Sequence, residues 1–222
     1  MSPGFEFTSV HFFLLVAAVV LAGAGLSYYF SYLRRKKLGE LASSMGLLFS
    51  ETGPDNAFLA ATGLELFRLG HSHDASNLIQ LATNTGELWF FDYSYTTGSG
   101  KNRTIHAFTV GLVKSAKVQI PSFELKPENL MYKFGEIIGF KDIDLPAFPV
   151  FSDKYRLTGS DEAAVHMFFT PERAAWFERN LGLWMQGAGA YAVVFRKRGT
   201  LPAEAWQGFM EEVKILAAEV LK

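Results

Sequence analysis

The chain has 222 residues with a formal net charge of −1, and it contains no cysteine, which excludes a disulfide scaffold, thiolate metal sites and a cysteine nucleophile. That small net charge hides a segregation. Residues 1–33 carry one charged side chain, Glu6, while every Lys and Arg lies from Arg34 onward. Beyond the block Arg34, Arg35, Lys36 and Lys37 the remainder holds 17 basic and 21 acidic side chains, a mildly acidic balance that argues against nucleic acid as a partner.

After a short tail, residues 1–6, an uncharged run over residues 7–33 predicts a transmembrane helix. At about 1.5 Å per residue it reaches ~40 Å, enough to cross a hydrocarbon core of ~30 Å with its ends among the headgroups. A cleaved signal peptide needs a basic start and a small-residue cleavage site. This segment instead starts with Glu6 and ends in bulky Tyr28, Tyr29, Phe30 and Tyr32, so the span is expected to be retained. No cation precedes it and four follow at once, which predicts an outside N-terminus and a cytoplasmic C-terminal domain. Tyr28, Tyr29 and Tyr32, with Arg34, Arg35, Lys36 and Lys37, are the expected interfacial residues toward the lipid bilayer. The spacings Ala18 to Ala22 and Gly23 to Ser27 offer a face for self-association through the span.

Leu38, Leu41, Ala42 and Met45 recur at helical spacing, so the helix is expected to continue through residues 34–46 and to end at Gly46. Residues 47–222 form the predicted single domain. Gly53-Pro54-Asp55 reads as a turn into a short helix over residues 57–61. Strands are predicted at 77–83 and 87–97 around Asn84-Thr85-Gly86, the second with Trp89, Phe91, Tyr93 and Tyr95 on one face and Phe90, Asp92 and Ser94 on the other. The segment Gly98-Ser99-Gly100-Lys101-Asn102 makes a hairpin tip before a strand at 104–113, and further short strands are expected at 123–125 and 155–157. Ser160-Asp161-Glu162 and Thr170-Pro171-Glu172 cap two helices that end near Asn180-Leu181-Gly182. A third hairpin at 184–196 turns at Gly187-Ala188-Gly189. The last helix presents Trp206, Phe209, Met210, Val213, Leu216, Ala217 and Val220 as one stripe. Runs of strands with grouped helices predict an α+β class with an antiparallel sheet, packed helices and a C-terminal amphipathic helix.

The order of an N-terminal span, an aromatic hairpin, Pro121-Ser122-Phe123-Glu124-Leu125-Lys126-Pro127-Glu128 and then Phe151-Ser152-Asp153-Lys154-Tyr155 resembles a set of bacterial membrane-anchored proteins with a domain of unknown function. The resemblance covers residues 38–222. It implies a bacterial inner-membrane setting and carries over no activity and no site residue. The strands with a C-terminal helix also resemble pleckstrin-like barrels, although the intervening helices depart from that pattern.

Three stretches invite a chemical reading. His71-Ser72-His73-Asp74 places two imidazoles on one side of an extended segment, making His71, His73 and Asp74 the candidate metal ligands, with His106 and His166 as distant additions. Gly98-Ser99-Gly100-Lys101 misses the phosphate-loop pattern, which needs glycine at position 95 and Ser or Thr at 102, where Tyr95 and Asn102 stand. The acids Asp142, Asp144 and Asp153 lack calcium-loop spacing, and Pro146 and Pro149 predict an irregular surface segment there. With no motif for catalysis, the expectation is a membrane-tethered binding or scaffolding domain with a protein partner and no cofactor. The alternatives are a membrane-associated hydrolase or metal-dependent enzyme built on His71, His73 and Asp74, and an envelope structural protein with its domain outside.

Overall fold

The computed structural model describes residues 9–84, 86–115, 117–128, 139–196 and 199–219. The tail at 1–6, the first two residues of the predicted span, Thr85 and Val220 lie outside the described residues. The chain is α+β: a long apolar helix, an antiparallel sheet of nine strands, four short or medium helices and a C-terminal amphipathic helix.

Helix α1 runs unbroken over Ser9–Ser44. It ends where expected, at Gly46, whose φ of 68° is open to glycine; the Leu47 N–H then reaches back to the Ala42 carbonyl at 2.8 Å, closing a Schellman turn. Every residue from 11 to 32 is exposed, whereas Leu38 and Ala42 are wholly buried. The last turns of α1 therefore belong to the domain's core.

The remaining elements are β1 (Phe49–Thr52), α2 (Asn56–Ala61), β2 (His71–Thr83), β3 (Gly86–Thr97), β4 (Thr104–Ser115), β5 (Ile120–Pro127), β6 (Lys141–Asp142), α3 (Pro149–Lys154), β7 (Tyr155–Gly159), α4 (Glu162–Phe168), α5 (Pro171–Arg179), β8 (Trp184–Gly189), β9 (Tyr191–Phe195) and α6 (Ala203–Glu219). Strand order is β1-β2-β3-β4-β9-β8-β5-β7-β6, which leaves β1 and β6 as edges, so among the described residues the sheet is not a closed barrel. Helices α4 and α5 start at the expected triplets, with Asp161 rather than Ser160 as the cap of α4, and the turn before α2 supplies Asp55 as its cap. Asp55 accepts from the Ala57 and Phe58 N–H groups, Asp161 from Ala164, and Thr170 from Arg173 with Pro171 behind it.

Both faces of the central strands are covered. One carries Leu88, Phe90, Phe123, Leu125, Met185 and Val194 beneath the end of α1, α3 to α6 and the α6 stripe. The other carries Phe91, Tyr93, Tyr95, Phe108, Val110, Trp184 and Phe195 beneath α2 and a 3-10 turn at Glu65–Phe67. The alternation in β3 thus sorts its residues correctly between faces, and burial makes both faces core.

Three local expectations change. The irregular surface segment around Pro146 and Pro149 contains β6 and α3: Pro149 opens α3, and Ile143 and Leu145 are buried. The third hairpin turns one step later, with Gly187-Ala188-Gly189 inside β8, because Gly187 is a packing site; a Cβ there would lie 2.5 Å from Ile120 Cγ2. Strand β2 begins six residues earlier than its apolar alternation, with register shifts at His71/Asp74 and Ser76/Ile79 that hide the pattern.

Candidate functional site

The most concentrated polar chemistry lies where the exposed apolar part of α1 gives way to the domain. Asp92 sits mid-strand in β3 on the face that α1 and α6 cover, and it is 6% exposed. A buried carboxylate requires donors. Arg34 supplies two, from Nη1 to Oδ2 at 2.5 Å and from Nη2 to Oδ1 at 3.0 Å. Asn77 Nδ2 donates to Oδ2 at 2.8 Å and the Thr109 hydroxyl to Oδ1 at 2.7 Å. Arg34 also donates to the Leu201 carbonyl, from Nε at 3.0 Å and Nη2 at 2.7 Å, while the Leu201 N–H donates to Thr109 Oγ1 at 2.8 Å. Arg34, Asp92, Thr109 and Leu201 thereby close a ring of hydrogen bonds that ties α1 to β3, β4 and the approach to α6. The guanidinium also lies 5.8 Å from the Trp206 ring centroid.

The local fold makes this possible. Asn77 stands in β2 at φ 58°, a left-handed conformation that asparagine tolerates, at the register shift that turns its amide toward Asp92. Its Oδ1 is buried without a partner. Beside this ring a cleft of about 270 Å³ opens between α1 and the sheet, lined by residues that include Ser31, Arg34, Asp74, Asn77, Asp92 and Thr200.

The rest of the basic block also faces carboxylates. Arg35 pairs with Glu51 at 2.7 Å, Lys37 with Glu204 at 2.5 Å, and Lys36 approaches Glu40 at 3.9 Å. The hydrogen bond and charge of Glu204 raise the Lys37 pKa, and the same bond from Lys37 lowers that of Glu204. Tyr28, Tyr29 and Tyr32 are exposed on α1 before the block.

His71, His73 and Asp74 are not brought into one ligand set. Ser72 takes φ 53°, which breaks the alternation that would have put both imidazoles on one side. His71 Nε2 donates to the Gly98 carbonyl at 3.0 Å, and His73 Nε2 donates to the Leu69 carbonyl at 3.0 Å. His106 contacts the Thr97 hydroxyl at 2.7 Å, and His166 lies 3.6 Å from Glu162. Among the described residues no three His, Asp or Glu side chains are arranged to hold an ion. Asp142 is paired with Arg156 at 2.8 Å.

A second buried network stands on the opposite core. Glu124 of β5 is 3% exposed and accepts from Lys126 Nζ at 2.6 Å and Gln186 Nε2 at 2.9 Å, while Gln186 Oε1 accepts the Leu66 N–H at 2.8 Å. Lys126 Nζ also lies 5.9 Å from the Trp184 ring centroid. Both carboxylate oxygens are engaged, so the group staples β5, β8 and the 3-10 turn together rather than presenting a free acid or base. A larger recess, about 670 Å³, runs along α5 from Thr170 to Arg179. Its Arg173 is turned onto its own neighbours, donating to the Phe168 carbonyl at 2.7 Å and lying 4.4 Å from the Phe168 ring centroid.

Sequence reasoning missed Asp92, Asn77 and Thr109 as a unit. The available signal was Asp92 itself, an acid inside a run of aromatic residues. Its partners come from positions 15 to 58 residues away, and Leu201, which joins Arg34 to Thr109, is further still.

No family model matches the sequence, and no curated protein does. Among solved structures, the chain is similar to the crystal structure of the mycobacterial trehalose monomycolate transport factor A, TtfA, with a TM-score of 0.60 over 85% of this chain and 96% of that one. The two sequences are 12% identical, so the likeness is one of fold.

Proposed function

We propose that this chain is a single-pass, membrane-tethered accessory module that acts by binding at the cytoplasmic face of a bacterial inner membrane, in the transport of an envelope lipid. One observation carries the tethering: a sleeve of exposed apolar side chains over residues 11–32 continues, in one helix, into turns that are buried in the domain. About 22 such residues rise ~33 Å, the thickness of a hydrocarbon core, and an apolar surface of that extent needs lipid around it. The Arg34 clamp and the buried Leu38 and Ala42 fix the domain's attitude to the helix, and so to the bilayer. The cation block after the span favours a cytoplasmic domain.

The transport reading extends the structural likeness to a transport factor beyond the fold. It is supported by the two buried carboxylates, Asp92 and Glu124, whose oxygens are all engaged by donors of the fold itself, which suits a binding module better than an active site. A protein partner within the membrane is part of the proposal. Gly23 and Gly25 have open space where a Cβ would stand, room for a second helix or a second copy to approach.

Depleting the chain in its own cell should leave total synthesis of envelope lipids intact while a labelled precursor accumulates in the inner membrane. Unchanged export on full depletion overturns the transport role. Protease treatment of intact cells against inverted vesicles tests the orientation separately, and digestion of the domain in intact cells reverses it.

A further inference from the structure

The β3–β4 hairpin offers a second contact with the bilayer. Its position follows from how α1 lies along the sheet. Arg35 pairs with Glu51, whereas Gly39, four residues on, has the Phe49 ring 3.4 Å from its Cβ position. Four helical residues rise about 6 Å and two strand residues about 6.6 Å, so α1 and β1 run side by side in opposite directions. Since β1 pairs antiparallel with β2, and β2 with β3, β3 climbs back along α1 toward the exposed apolar segment. From Asp92, level with Arg34, to Gly98 is six strand residues, or about 20 Å. The same rise on α1 takes about 13 residues, so even strands that diverge substantially from the helix carry the tip to headgroup depth.

The tip has suitable chemistry. Residues 98–105 are all exposed, and they include Lys101, Arg103 and Ile105 but no acid. Neither Lys101 nor Arg103 forms an ion pair with a described residue, in contrast to all four cations of the Arg34 block. Asp74, which pairs with Ser94, lies further from the tip. Ile105 is a large apolar side chain 61% exposed next to these cations. The turn is also held in place: Gly98 has φ 71° and a Cβ there would strike the Asn102 carbonyl at 2.3 Å, while His71 Nε2 holds the Gly98 carbonyl from β2.

We propose that this tip docks on anionic phospholipid headgroups, with Lys101 and Arg103 taking lipid phosphates and Ile105 resting at the acyl boundary. This rests on the membrane-tethered reading above. Together with the span it gives the domain two points of contact and a fixed tilt.

The chain has no cysteine, so Ser99→Cys gives a single site for an environment-sensitive fluorophore, and Leu48→Cys, at a residue 86% exposed beyond the other end of α1's buried turns, gives a reference site. The full chain is reconstituted into phosphatidylcholine vesicles with and without phosphatidylglycerol. In phosphatidylglycerol vesicles the Ser99→Cys label should blue-shift and be quenched by a headgroup-level lipid quencher. Lys101→Glu and Arg103→Glu should each lower the docked-to-free ratio by about fivefold or more, and the Leu48→Cys label should stay aqueous throughout. A Ser99→Cys label as aqueous as the Leu48→Cys label in phosphatidylglycerol vesicles overturns the docking, as does equal contact with and without phosphatidylglycerol. Release of the chain from vesicles by alkaline carbonate would instead remove the tethered reading itself.

Discussion

Replacing Arg34 with alanine tests the junction most directly. The substitution leaves the Asp92 carboxylate buried with only Asn77 and Thr109 as donors, and it frees the Leu201 carbonyl. Removing one partner of a buried ion pair typically costs about 3–5 kcal/mol. The Arg34 side chain keeps 22% of its exposure, so the lower end applies, ~3 kcal/mol. For a chain of this size that corresponds to a fall in Tm of about 6–12 °C. Thermal unfolding in detergent, followed by tryptophan fluorescence, is a suitable assay because Trp206 lies beneath the guanidinium. The double variant Arg34→Ala/Asp92→Asn leaves no charge buried at the junction and should recover at least ~1 kcal/mol relative to Arg34→Ala alone. Lys37→Ala removes an exposed pair at the same junction and should leave Tm unchanged within scatter. An Arg34→Ala variant that melts within ~2 °C of the parent chain, or one that Asp92→Asn does not rescue, would refute the clamp.

The other expectations follow from packing, ionisation and metal content. Leu38→Ala removes a fully buried side chain from the last turns of α1 and should cost about 2–5 kcal/mol by the same melting assay; a loss below ~1 kcal/mol would mean the helix end is not part of the core. Gly187→Ala places a Cβ against Ile120, Phe123 and the Pro121 carbonyl and should destabilise by about 1–3 kcal/mol, whereas a neutral outcome would show that β5 and β8 spread at little cost. Burial pushes the Tyr155 hydroxyl from the ordinary value of 10.0 up to about 12. Its contribution is therefore complete below pH 10 and declines as pH rises toward 12, because the unfolded chain ionises first; Tyr155→Phe should flatten that decline in a melting series against pH, and an unchanged slope would contradict the assignment. Chelator should leave Tm unchanged, while stoichiometric metal in the purified chain, lost on His73→Ala, would restore the metalloenzyme alternative.

Much of the local structure was legible because its causes are local. The apolar run, the stop at Gly46, the turn at Gly53-Pro54-Asp55, the cap at Thr170, the two faces of β3 and the stripe of α6 all follow from periodicity or from hydrogen bonds within a few residues. The register shifts of β2 were not legible, since a bulge leaves no apolar rhythm to read, and the His71-Ser72-His73 geometry went astray with them. Nor was α3, because Pro146 and Pro149 read as marks of an irregular segment, whereas Pro149 opens the helix.

By itself the sequence determined a long apolar helix, a run of antiparallel strands with known faces and an amphipathic end helix, because each depends on side-chain spacing along one segment. Only the tertiary structure decided that β9 lies beside β4 and β8 beside β5, that both faces of the sheet are core, and that Arg34 meets Asp92 across 58 residues. Those outcomes depend on which apolar faces bury one another and on how a buried carboxylate finds its donors, and neither is specified by any one stretch of chain.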